Sequence, residues 1–143
     1  WEGCLLSRIA KGEVLAVTLS DEVKKVAIVN LHRMIRDGTL GEDYTIANRD
    51  KNRQLRLDYY INDDKIKEIL LGLQLSNLVK AEKSNNGAHP DDIVFIFKKR
   101  IRLMPRWQEN VDYQDVNLYI KITWPKESDG AVMFIISFHE DEI

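Results

Sequence analysis

Two apolar runs near the end of the chain constrain its fold more than any other feature. Leu118 to Trp124 and Val132 to His139 are joined by Pro125-Lys126-Glu127-Ser128-Asp129-Gly130, a stretch of turn formers. On a period of two, Leu118, Ile120, Ile122 and Trp124 fall on one face, and Tyr119, Lys121 and Thr123 on the other. The second run divides the same way, with Val132, Phe134, Ile136 and Phe138 against Ile135, Ser137 and His139. A hairpin that shares one core therefore opposes apolar to apolar, Ile120 to Ile136. That register sets Tyr119 diagonal to His139, about 7–8 Å away, on the face opposite the core with Lys121 and Ser137.

Upstream, the spacing predicts helices. Ser20 followed by Asp21 and Glu22 is an N-cap with acids in the first turn, where they complement the exposed amides. Val23, Ala27, Leu31, Met34 and Ile35 continue at helical spacing until Asp37-Gly38 supplies a stop, so a first helix spans about Asp21 to Arg36. Asp43 to Tyr60 shows no clean period and reads as a loop with one short element, Asn48 to Arg53 being a solvated turn. Asn62 is a second N-cap, with Ile61 placed to staple onto Ile66. Ile66, Ile69, Leu70 and Leu73 carry that helix to about Gly72 to Gln74. Ser84 to Pro90 is turn chemistry, and Ile93 to Phe97 is suited to a central strand. Val14 to Leu19 reads as a strand or a helical arm.

Helices followed by strands predict an α+β fold, with N-terminal helices packed on one face of a mostly antiparallel sheet. A chain of 143 residues makes one domain, with 1–19 as an arm and 20–140 as the core. One cysteine, Cys4, excludes an internal disulfide and a Cys-based zinc cluster. His32, His89 and His139 stand in unrelated contexts, and no nucleotide-binding glycine loop or nucleophile elbow is present, so neither a metal nor another cofactor is expected. No apolar run reaches the roughly 20 residues of a membrane span. The first residue is Trp1 rather than Met, which is compatible with a domain cut from a longer secreted effector.

The net charge of −2 argues against a surface that is basic throughout. Locally the balance differs. Val94 to Lys126 carries Lys98, Lys99, Arg100, Arg102, Arg106, Lys121 and Lys126 against Glu109, Asp112 and Asp115, a balance of +4, whereas Glu127 to Ile143 holds five acids and no Lys or Arg. Lys98, Lys99 and Arg102, with Arg106-Trp107, combine phosphate-seeking cations with an aromatic able to stack on a base. A phenol, an imidazole and several cations on one open face can cleave RNA without a metal. A base removes the ribose 2′-OH proton, cations stabilise the phosphorane, and an acid protonates the leaving 5′ oxygen.

Three segments carry a resemblance. Leu70-Leu71-Gly72-Leu73 with Lys80 eight residues after the Gly, Leu118 to Thr123, and Ile135-Ile136-Ser137-Phe138-His139-Glu140 look like the motility quorum-sensing regulator (MqsR) toxins. That family consists of messenger-RNA endoribonucleases of the RelE-like superfamily held inactive by an antitoxin. The resemblance covers Tyr60 to Glu140. It implies a RelE-like core acting in the cytoplasm on single-stranded RNA, with an antitoxin or immunity protein as partner. Carried over by position, it makes Lys80, Tyr119 and His139 catalytic. The family pattern has a Lys at the last position, so His139 departs from it; a His exchanges protons readily near neutrality, which fits an acid role. The family also uses a Gln between the lysine and the tyrosine. Arg106 stands at that distance and Gln108 two residues on. Substrate contacts then fall to Lys98, Lys99, Arg102, Trp107, Gln108 and Lys121. The alternative is a non-catalytic RNA-binding or immunity-type module whose basic face docks an acidic partner.

Overall fold

The computed structural model describes residues 20–84, 92–107 and 112–142. Helix α1 spans Asp21–Asp37, and the Ser20 hydroxyl accepts from the Val23 N–H at 3.3 Å. Its buried stripe is Val26, Ala27, Asn30, Leu31 and Ile35. Gly38 ends it at a point of close approach, since a Cβ there would lie 2.5 Å from the Met34 carbonyl oxygen and 2.9 Å from the Asp43 Cβ.

The segment expected to be a loop holds two elements, β1 at Tyr44–Ile46 and α2 at Asp50–Asp58. The supposed turn from Asn48 to Arg53 therefore runs into a helix. Helix α2 buries only Asn52 and Leu55, so its sequence carries almost no apolar period, and packing on the sheet decides its conformation. Helix α3, Asp63–Leu71, starts as expected: the Asn62 carboxamide oxygen accepts from the Lys65 N–H at 2.8 Å, and Ile61 and Ile66 are both buried. Strand β2, Leu78–Lys83, was not expected from the sequence. Strand β3 runs Ile93–Leu103, so the basic stretch Lys98 to Arg102 lies within a strand rather than beyond its end. The region Val14 to Leu19 and the turn residues 85–91 lie outside the described residues.

Strands β4, Gln114–Thr123, and β5, Met133–Glu140, complete a five-stranded sheet in the order β1-β5-β4-β3-β2. Only the short β1–β5 pairing is parallel; the other three are antiparallel. The fold is α+β, with the helices N-terminal to most of the sheet and packed on one side. Leu31, Ile35, Leu55, Ile66 and Leu70 meet Phe95, Phe97, Leu118, Ile120, Ile122 and Phe138 in one core, where Phe95 and Trp124 pack edge to face at 5.5 Å. Among the described residues no helix is long and apolar enough to cross a membrane.

The hairpin departs from strict alternation. Tyr119 pairs with His139 and Lys121 with Ser137, but Ile122 pairs with Ile135, leaving Ile136 as a one-residue bulge. Met133 and Ile135 consequently enter the core and join Phe138, which was expected there, while Phe134, expected inside, is 46% exposed. Asn52 holds the bulge from α2. Its amide nitrogen donates to the carbonyls of Ile136 (3.0 Å) and Ala47 (2.9 Å), and its oxygen accepts from the Phe138 N–H at 2.8 Å. The backbone groups that the bulge withdraws from the ladder are thus satisfied by one buried side chain.

Candidate functional site

The face of the sheet away from the helices is set by strand parity. Lys98 on β3, Tyr119 on β4 and His139 on β5 form one transverse row, because Lys98 pairs with Tyr119 and Tyr119 with His139. The next row is Lys80, Ile96, Lys121 and Ser137, on β2, β3, β4 and β5. Arg100 and Arg102 extend the Lys98 side along β3. Adjacent strands lie about 4.8 Å apart, so Lys98 adjoins Tyr119 from the next strand, Lys121 follows it by two residues on β4, and Lys80 lies two strands away in the Lys121 row.

Tyr119 and His139 are direct cross-strand partners, closer than the diagonal expected from strict alternation. Their rings stack with centroids 5.3 Å apart and planes inclined by 16°. Offset stacking of this kind contributes about 0.5–1.5 kcal/mol beyond burial and fixes both rings. The register is the cause: the expected pairing set Tyr119 opposite Ser137, whereas on this side of the bulge it stands opposite His139, two positions along β5. His139 Nδ1 lies 2.8 Å from the Glu140 carbonyl oxygen. A carbonyl only accepts, so Nδ1 carries the proton and, in the neutral ring, the lone pair is at Nε2. The imidazole is thereby oriented with its basic nitrogen turned away from its own backbone.

Several cations on this face have carboxylate neighbours. Lys98 Nζ lies 3.2 Å from an Asp141 carboxylate that is only 10% exposed, and Asp141 is tied down again by its N–H to the Asn117 carbonyl at 2.7 Å. Lys80 pairs with Glu82 at 3.3 Å, and Arg100 with Asp115 at 3.1 Å. Arg102 is held more loosely, 4.0 Å from Asp115 and 70% exposed. Further out, Lys51 holds the Glu142 carboxyl below the usual carboxylate range by a hydrogen bond and by its charge. A cleft of about 250 Å³ borders His139, lined also by Lys51, Gln54, Asp58 and Glu142.

Of the residues singled out from the sequence, Lys80, Tyr119, His139, Lys98, Lys121 and Arg102 share this face. Lys99 and Arg106 do not join them. Lys99 has the opposite parity and its Nζ donates to the Gly72 carbonyl at 2.8 Å, capping the C-terminal end of α3. The Arg106 Nε donates to the Arg56 and Tyr59 carbonyls at 2.7 and 3.0 Å, which ties the segment after β3 to α2. Trp107 is 80% exposed, its indole N–H donating to the Leu57 carbonyl at 2.6 Å. Gln108 lies outside the described residues. Asn52 was missed by sequence reasoning, because a lone Asn in a polar stretch gives no signal of burial. No group of three or more His, Cys, Asp or Glu side chains placed to hold a metal ion occurs among the described residues.

Comparison of the chain with models of known families, with curated proteins and with solved structures finds no match.

Proposed function

We propose that the chain is a metal-independent endoribonuclease that cleaves single-stranded RNA by attack of the ribose 2′-OH. The observation that carries this reading is the stacked Tyr119–His139 pair in a row with Lys98, beside Lys121 and Lys80. In this reading His139 Nε2 removes the 2′-OH proton, the 2′ oxygen bonds to phosphorus, and the bond to the 5′ oxygen breaks. The products are a 2′,3′-cyclic phosphate and a free 5′-OH. The Tyr119 hydroxyl gives its proton to the leaving oxygen, and the proton taken up by His139 returns to the phenolate through solvent. Lys98, Lys121 and Lys80 stabilise the additional negative charge of the phosphorane. The tautomer favours a base role for His139 over the acid role suggested by the family pattern. Lys98 and Lys121 take the phosphate contact assigned to Arg106. The likeness of the sequence to MqsR toxins agrees with this chemistry, and such an enzyme would act on messenger RNA in the cytoplasm under an antitoxin or immunity protein.

The test is incubation of single-stranded RNA with the protein in a chelator. Cleavage to cyclic phosphate ends, lowered about 10²–10⁴-fold by His139→Ala, is the expected result. Folded His139→Ala and Tyr119→Phe variants that cut at the parent rate would refute it. The carboxylate partners of Lys80, Lys98 and Arg100 favour a second reading, a non-catalytic RNA-binding or protein-docking module. Salt-sensitive RNA binding without any cleavage would select it.

A further inference from the structure

Beside Arg102, where the end of β3 meets the start of α3, lies a cleft of about 320 Å³, lined by Tyr60, Lys65, Arg102, Arg106 and Tyr113 among others, with no Asp or Glu among the described residues of its wall. Tyr60 and Tyr113 are 55% and 56% exposed. Such rings on a soluble surface usually swing freely, but the Tyr60 main chain is fixed by its N–H to the Met104 carbonyl at 2.9 Å. The Arg106 guanidinium lies 4.8 Å above one face of the Tyr60 ring, and Arg106 is itself anchored on two carbonyls. More than half of Tyr60 nevertheless meets solvent. Trp107, exposed yet hydrogen-bonded, stands on the adjoining surface with Tyr59 and Gln114. The Tyr60 ring held by Arg106, beside Arg102 at 4.0 Å from Asp115 and Lys65 paired along its helix with Glu68 at 2.9 Å, has the chemistry of base stacking with phosphate contact.

We infer that this cleft is a nucleobase-stacking subsite for single-stranded RNA, with Tyr60 and Tyr113 as the platforms and Lys65 and Arg102 as the phosphate contacts. The inference rests on the nuclease reading for its choice of RNA and for its relation to the cut. Arg102 pairs with Asp115, four residues along β4 from Tyr119. That separation is about 13 Å at the rise of a strand, or about four nucleotides at a stacked spacing of 3.4 Å. The subsite therefore grips the strand a few nucleotides from the bond that is broken, and substrates too short to span the interval lose it.

The experiment uses a fluorescent 2′-O-methyl oligoribonucleotide, which cannot be cleaved by its own 2′ oxygen, and reads binding by anisotropy. Tyr60→Leu and Tyr113→Leu keep bulk while removing the π face, and each should weaken binding about tenfold. Arg102→Ala should lower the slope of log affinity against log salt by about one, and Lys25→Ala on α1 should change nothing. Binding by the two Leu variants within twofold of the parent, or no binding by the parent at all, overturns the inference. The two readings fail separately. Loss of binding in the Leu variants of a protein that never cuts RNA keeps the subsite and removes the nuclease; an active nuclease indifferent to both rings does the reverse.

Discussion

Replacing Asn52 by Leu, a side chain of similar size, removes three hydrogen bonds at once: those to the Ala47 and Ile136 carbonyls and that from the Phe138 N–H. Each such bond contributes about 1 kcal/mol net. The Phe138 N–H is buried in the hairpin, and leaving a buried donor unsatisfied costs about 1–3 kcal/mol. The expected loss is therefore about 3–5 kcal/mol, a large share of the 5–15 kcal/mol that holds a typical domain together. At about 3 °C per kcal/mol for a chain of this size, the melting temperature falls by roughly 10–15 °C. Asn52→Asp separates the contributions, since it keeps the acceptor for Phe138 but sets a carboxyl against two carbonyls. The carboxyl must then stay protonated in the folded protein, so this variant loses stability as pH rises above the ordinary carboxyl range. Thermal unfolding across pH, followed by circular dichroism, reads both variants. A fall of less than about 1 kcal/mol for Asn52→Leu would refute the idea that this amide holds the bulge.

Burial pushes the Tyr44 phenol up, Asp63 and Asp43 adding to it, and Tyr59 is raised likewise by burial and by Glu140. The folded state holds these protons more tightly, so this contribution is complete below the ordinary tyrosine value near 10 and is lost as pH climbs past it. Tyr44→Phe should flatten that alkaline decline. It should also leave stability at pH 7 within about 1 kcal/mol of the parent, because the buried hydroxyl has no hydrogen-bond partner among the described residues. Asp141→Asn releases Lys98, so RNA affinity at low salt should rise and its salt slope steepen, at a stability cost under about 1 kcal/mol. Lys99→Met should lower stability by about 1 kcal/mol through loss of the cap on α3 while leaving RNA affinity unchanged.

Elements with a strong apolar period or an explicit cap were readable from the sequence. Ser20 and Asn62 cap where their chemistry places them, and α1 ends at Gly38. Helix α2 was not readable because only two of its side chains are buried, and one of those is a polar residue engaged by a strand 84 residues away. The hairpin was readable as two strands, but not its register beyond the bulge. From Val132 to Phe138 apolar side chains occupy both parities, so either alternation supplies a plausible core. The grouping of Tyr119 with His139 survived because both lie on the same side of the bulge. Lys99 and Arg106 were misplaced for a different reason: a run of cations says nothing about which members turn toward helix carbonyls.

Strand β5 is interior, lying between β4 and β1, and it brings His139 to the site. Segments 44–46 and 114–123 have no bond to each other until Met133–Glu140 threads between them. A growing polypeptide therefore lacks a finished sheet through most of its synthesis, and pairings this distant along the chain form slowly. Completion of the sheet and assembly of the stacked Tyr119 and His139 rings therefore coincide.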